Sequence, residues 1–438
     1  MTLKRAVRRF QVNPKVTLVV EEYPGAVSTA LGFWIHRGSR SEPRALSGAT
    51  HLAEHMFFKG TRQHEADELS RLVEMHGGDV NAFTDREYTC FHSWIPAERT
   101  EVAFNVLTEM LYDSLFDAEE FDKEREVVAQ EIRASEDSAE EEFLEGLWES
   151  PWGDHPLGRR VGGFSKQIRK LKRDRVESYV REQMLTAPQV VSVVGPLPAA
   201  EVLDLLKRAL KRAEGMRWGS MIRKLCHAPR QAPPRFARTY HARSKLERFD
   251  SEQVHLGFQW PAVNITSPFE VHTSALSNMI GGGASSALFQ EIREKRGLAY
   301  TVYAQYSSFL DAGLFSIVVQ TDPKKVLEAA KVCGEICRAY AAGINDEEFR
   351  FSRGQLEGST VLSFEGLHNR MESLGRQVLM LDQVYTFEKT RDEIRRMKKE
   401  EVEMIARGLS KTPCTFVLGP LKQRDLGKIV SAWEGKAR

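Results

Sequence analysis

The sequence predicts an α+β protein built from two homologous domains. Three observations predict it. Short runs rich in β-branched residues, such as 16–20 and 190–194, alternate with long amphipathic stretches such as 66–76, 97–115 and 118–147. The chain has 438 residues, too many for one hydrophobic core. The second half also repeats the first: Leu31-Gly32-Phe33 recurs as Leu256-Gly257-Phe258 at an offset of 225. Ile168-Arg169-Lys170-Leu171-Lys172 recurs as Ile394-Arg395-Arg396-Met397-Lys398 at 226, and Val194-Gly195-Pro196-Leu197 as Leu418-Gly419-Pro420-Leu421 at 224. One match could be chance, but three in order at nearly one offset indicate an internal duplication.

In chain order, residues 1–10 are basic without a following apolar run, so they are no secretory signal. They read as an edge strand leading into residues 16–21, with a short organelle-targeting segment as the alternative. Residues 28–36 read as a second strand, 48–58 as a helix, and 66–76 as an amphipathic helix stopped by Gly77-Gly78. Residues 79–95 alternate like a strand and its return. Two long helices follow over 97–115 and 118–147, then a strand at 190–194 and a helix at 198–213. Helical periodicity is lost over 217–238, where Pro229, Pro233 and Pro234 occur. This divides the chain into domains at 1–216 and 239–438 joined by a linker at 217–238.

The helix at 48–58 contains His51-Leu52-Ala53-Glu54-His55, the pattern H-x-x-E-H. Residues four apart share a helix face, so His51 and His55 can aim ring nitrogens at one point. Glu54 reaches the same side. Two neutral imidazoles with a nearby carboxylate suit a catalytic zinc, which needs a third protein ligand and one open position. The candidate third ligand is Glu131; Glu124, two turns earlier on the same face, and Glu126 are the alternatives.

The run from Gly48 to Thr61 resembles the metal-site signature of the pitrilysin and mitochondrial-processing-peptidase family, the inverzincin zinc peptidases, in its short-chain, two-domain bacterial type. The resemblance implies two similar domains, each a mainly antiparallel sheet covered by helices, closing as a clamshell around a chamber. It implies that His51, His55 and Glu131 hold one zinc per chain, that Glu124 supports the site and that Glu54 is the catalytic base. Gly77-Gly78 followed by Asn81, Ala82, Phe83 and Thr84 resembles the family's strand beside the zinc, whose exposed edge pairs with substrate backbone. Arg293 and Tyr300 match a family pair that reaches the substrate, where a cation and a phenol would stabilise an oxyanion. The second copy carries residues 274–278 in place of the motif and Ser359 near the place of Glu131, so one metal site is expected. Gly281-Gly282-Gly283-Ala284-Ser285-Ser286 lacks the Gly-Lys-Ser/Thr ending of a phosphate loop and reads as a place where helices approach closely.

The expected activity is therefore that of a zinc endopeptidase acting on extended or unfolded peptides. The alternatives are a scaffold subunit of a family heterodimer and a peptide-binding module that cleaves poorly. Net charge is +1, which gives no case for nucleic acid, and no stretch is apolar enough to span a bilayer. Five scattered cysteines, with Cys333 and Cys337 four apart, suggest free thiols in a reducing compartment. A cytoplasmic location is favoured over an organelle matrix. A homodimer is expected ahead of a family heterodimer, because two-fold pairs are the commonest assembly.

Overall fold

The computed structural model describes residues 6–223, 240 and 243–436, which fall into two compact units. In the first, the β-branched runs form β1 (Ala6–Gln11), β2 (Val16–Glu22), β3 (Ser28–Ile35), β4 (Asp79–Thr84), β5 (Thr89–Pro96) and β6 (Gln189–Gly195). The sheet order is β1-β2-β6-β3-β5-β4. The β2–β6 pair is parallel and the others antiparallel. Side chains alternate across each strand, so Leu31, Phe33 and Ile35 of β3 share one core with the helices on that face. Those helices are α1 (Ala49–Phe57), α2 (Ala66–Glu74), α3 (Thr100–Asp113) and α4 (Ala118–Asp137). They contribute Leu52, Met56, Leu69, Phe104, Leu107 and Val128.

The opposite face of this sheet is covered by the helix Leu367–Leu381, which comes from the far end of the chain. Here backbones approach closely. A Cβ on Gly32 would lie 2.6 Å from Met371 Sδ, and one on Gly375 would lie 2.1 Å from Trp34 Nε1. Trp34 Nε1 donates to Ser192 Oγ at 2.8 Å, and Arg370 Nε donates to Glu21 Oε2 at 2.5 Å between two buried side chains.

The second unit repeats this plan. Its strands are β7 (Lys245–Arg248), β8 (Val254–Ala262), β9 (Ala299–Ser308), β10 (Gly313–Thr321) and β11 (Cys414–Gly419), in the order β7-β11-β8-β10-β9. Omitting β1, the two orders correspond strand for strand. The helix on one face of this sheet is α5 (Ala139–Trp152), drawn from the first half of the chain. A Cβ on Gly257 would lie 2.1 Å from Leu147 Cδ1, and one on Gly146 would lie 2.3 Å from Phe416 Cζ. The repeated Leu-Gly-Phe thus has a physical reading. Leu and Phe face each unit's own core, and the glycine admits a helix from the other half.

The compact units therefore depart from the contiguous halves 1–216 and 239–438. The first comprises Met1–Arg133, Arg159–Ala232 and Leu362–Thr386, and the second comprises Ala134–Gly158, Pro233–Val361 and Phe387–Arg438. The long helix expected over 118–147 is broken at Ser138, whose Oγ accepts from Glu141 N and caps α5. Of the expected linker, residues 224–238 lie outside the described residues. Trp218, just before them, is buried against the rings of Phe57 and Phe116. Residues 6–11 form the expected edge strand. In the Gly281–Ser286 run the close approach is between helix and strand: a Cβ on Gly281 would lie 2.1 Å from Ala304 N. Cys90, Cys333, Cys337 and Cys414 are buried free thiols, and Cys226 lies outside the described residues. No helix among the described residues is long and apolar enough to cross a membrane.

Candidate metal centre

Helix α1 starts where the chain leaves a left-handed turn at Gly48, φ 85°, whose missing Cβ leaves room for the Gly162 carbonyl oxygen. The first-turn N–H groups have no partners within the helix and need acceptors. The buried carboxylate of Glu42 supplies them, accepting from Gly48 N at 2.8 Å and Thr50 N at 2.7 Å. Burial pushes the Glu42 carboxyl up to about 7, although these N–H groups and Arg159 pull the other way. With Leu52, Ala53, Met56 and Phe57 buried in the core, the remaining face of α1 presents His51, Glu54 and His55.

Those three meet Glu131 from α4. The rings of His51 and His55 are 4.9 Å apart and nearly perpendicular. His51 Nε2 lies 3.9 Å from Glu131 Oε1, and His55 Nε2 lies 3.6 Å from Glu131 Oε2. The ligand atoms of His51, His55 and Glu131 all fall within 4.8 Å of one another, the one such group of three or more donors among the described residues. Donors about 2.0–2.2 Å from a tetrahedral zinc sit roughly 3.4 Å apart, so this set fits the ion with little rearrangement. Glu124 takes a different place. It is buried, with Oε2 3.2 Å from His55 Nδ1 and Oε1 2.6 Å from Lys59 Nζ. Glu126 is turned to the surface, where Arg169 Nε donates to it at 3.1 Å. Of the three glutamates weighed from the sequence, only Glu131 faces both histidines.

The electrostatics follow from burial. His51 is pushed down to about 4 by desolvation and then by neighbouring His55, which leaves it neutral. For His55, burial lowers the pKa, but Glu124, Glu131 and Glu54 outweigh it and raise it. Burial raises the Glu54 carboxyl despite a hydrogen bond from Thr84 Oγ1 and the charge of His55. Thr84 closes β4, which is the edge strand of the first sheet. Asn81, Ala82, Phe83 and Thr84 pair inward with His92, Phe91, Cys90 and Thr89. Asn81 Oδ1 accepts from Ala82 N at 2.8 Å, and the Phe83 ring packs against Trp34.

Arg293 and Tyr300 belong to the second unit and are joined to each other. The Arg293 guanidinium sits 4.6 Å over the Tyr300 ring and donates to the Tyr300 carbonyl oxygen at 3.1 Å. Tyr300, near the start of edge strand β9, is 75% exposed.

Three contacts were not foreseen from the sequence: Glu42 as a cap, Lys59 as a partner of Glu124, and the hydrogen bond from Thr84 to Glu54. Lys59 stands four residues after His55, a spacing that was available as a signal. Nothing local marks Glu42.

Residues 17–163 match the family described as insulinase (peptidase family M16), and residues 170–356 match the peptidase M16 inactive domain. An uncharacterized zinc protease of Streptomyces coelicolor is 32% identical over 97% of this chain and 92% of its own length. The chain belongs to peptidase family M16. This is the pitrilysin family of the sequence resemblance, and the inactive-domain match begins in the first unit and runs on into the second. The uncharacterized zinc protease YmxG of Bacillus subtilis is another M16 relative, 30% identical over 92% of this chain and 95% of its own. The same fold occurs in a peptidase M16 inactive domain from Pseudomonas fluorescens, with a TM-score of 0.82 at 17% identity, covering 95% of this chain and 98% of that one. A protease from Helicobacter pylori gives 0.81 at 18% identity, covering 94% and 99%.

Proposed function

We propose that this M16 chain is a zinc-dependent endopeptidase of extended or unfolded peptides. The observation that carries this reading is the convergence of His51, His55 and Glu131 beside Glu54, at the end of an edge strand. Zinc bound by those three residues supplies Lewis acidity and a water with its pKa lowered toward about 7. The chain's own residues do the rest. Glu54 takes a proton at its carboxylate and returns one to the leaving amine. The outer edge of β4 has no partner strand among the described residues, and an extended peptide can pair with it, which orients the substrate without reading its side chains. Arg293 and Tyr300 are assigned the stabilisation of negative charge on the attacked carbonyl oxygen. One ion per chain is proposed, since the described residues hold one group of suitable donors.

A scaffold subunit that binds peptide without cleaving it is the second reading. It is less well supported, because His51, Glu54, His55 and Glu131 all stand in one chain with compatible geometry. The deciding experiment is turnover of an internally quenched peptide by the purified chain, abolished by a chelator and restored by zinc. Tight zinc binding without turnover would favour the second reading.

A further inference from the structure

We propose that Lys59 is a positioning residue of the metal centre: it holds one oxygen of Glu124 so that the other stays on His55 Nδ1, which reserves His55 Nε2 for the ion. The inference rests on the metal site proposed above. It starts from how the Glu124 carboxylate is divided. Oε1 lies 2.6 Å from Lys59 Nζ and Oε2 lies 3.2 Å from His55 Nδ1. The carboxylate is buried, so each oxygen needs a donor, and the two donors together fix its orientation.

Lys59 is well placed to do this. Its N–H donates to Met56 O at 3.2 Å, so the last turn of α1 carries through Phe58 to Lys59 and brings the side chain back beside His55. Its side chain is 30% exposed, so it is largely packed against the protein.

The consequence falls on the tautomer of His55. A neutral imidazole carries one N–H, and its partner decides which nitrogen keeps it. Glu124 lies within hydrogen-bond distance of Nδ1 at 3.2 Å, whereas Glu131 stands 3.6 Å from Nε2, so the neutral ring keeps its proton on Nδ1 and leaves Nε2 to the ion. Were Lys59 absent, the carboxylate would gain by turning an oxygen toward water, and the Nδ1–H tautomer would lose its anchor. His51 offers no substitute, since its Nδ1 is buried beside Gly162 without a hydrogen-bond partner among the described residues. Direct Coulomb repulsion works the other way, because a lysine cation near the site disfavours a bound dication. A benefit from Lys59 must therefore pass through Glu124.

That opposition makes the test decisive. Zinc affinity is measured by competition with a chromogenic chelator for the wild type, Lys59→Met and Lys59→Arg. The His55 tautomer is read from ring nitrogen shifts in the metal-free protein at alkaline pH. Lys59→Met should bind zinc about 10- to 100-fold more weakly, the usual effect of losing an outer partner, and Lys59→Arg should restore most of it. In Lys59→Met the His55 ring should drift from Nδ1–H toward a tautomer mixture. In a Glu124→Gln background the Lys59→Met change should shift affinity less than about two-fold, because the route is already cut. Unchanged affinity with an unchanged tautomer in Lys59→Met would overturn the proposal, as would tighter binding. A wild type that binds no zinc sinks the metal reading itself, while the tautomer comparison still decides whether Lys59 acts on His55.

Discussion

Thr84 Oγ1 donates to Glu54 Oε2 at 2.5 Å, which ties the last residue of edge strand β4 to the carboxylate flanked by the two histidines. The proposed base and the proposed substrate strand are thus one hydrogen bond apart. Thr84→Val keeps the shape and removes the donor. It should lower kcat by about 10-fold with KM little changed, and Thr84→Ser should recover most of the loss. Steady-state kinetics on a quenched peptide check this. A fall confined to KM would place Thr84 in peptide binding alone.

Removal of any one of His51, His55 or Glu131 as the alanine variant should abolish zinc binding and turnover together. Glu54→Gln should keep the ion and lose roughly 10²- to 10⁴-fold in turnover, the range for a missing general base. Glu126→Ala, at the surface with Arg169, should change neither. Metal analysis beside kinetics separates the cases, and a zinc-replete Glu131→Ala protein would refute the ligand assignment.

Acid should stabilise the fold by relieving the burial of the Glu42 charge. Burial raises the Glu42 carboxyl from 4.5 to about 7, so the folded chain holds this proton more tightly than the unfolded chain. Its contribution is fully present below pH about 4.5 and is lost as pH rises through about 7, a swing of roughly 3 kcal/mol. Urea midpoints in a chelator between pH 5 and 8 should fall with pH in the wild type more steeply than in Glu42→Gln. Parallel slopes would show that Glu42 does not titrate in this window.

Gly375→Ala tests the packing of the helix Leu367–Leu381 on the first sheet. Alanine is favoured over glycine within a helix by about 1 kcal/mol. Here its Cβ would lie 2.1 Å from Trp34 Nε1, and overpacking of that kind costs about 1–3 kcal/mol. The clash should win, and the variant should unfold at lower denaturant. A stabilised variant would mean that the Trp34 ring can step aside.

Much of this was legible in the sequence because its signals are local. His51, Glu54 and His55 are placed by helical spacing alone, and the alternation from Asp79 to Ile95 marks a hairpin whose outer strand is β4. The Leu-Gly-Phe repeat revealed the duplication but not why its glycine is there. That required knowing that Leu147 arrives at Gly257 and Met371 at Gly32. Amphipathicity shows that a helix has an apolar face and does not name the sheet that receives it. For the same reason the exchange of α5 and the helix Leu367–Leu381 left no trace that periodicity could find. Ser138 could have signalled the break between α4 and α5, but a lone serine inside a Glu-rich run is a weak cap signal. Glu42 and Thr84 act through contacts set by the tertiary fold.

The helix borrowed by the first sheet has a consequence for how the protein is made. A ribosome delivers residues in order, so β1 to β6 are complete once Gly195 has emerged, but Trp34 and Gly32 still lack their cover. That cover arrives with Leu367–Leu381, which begins 172 residues later. During the interval the nascent chain carries an apolar sheet face open to solvent, and the buried Glu21 waits for Arg370. Messages cut short between these points should yield chains that aggregate or are held by chaperones, and arrest-peptide force profiles should show the first unit settling only after Leu381 clears the exit tunnel.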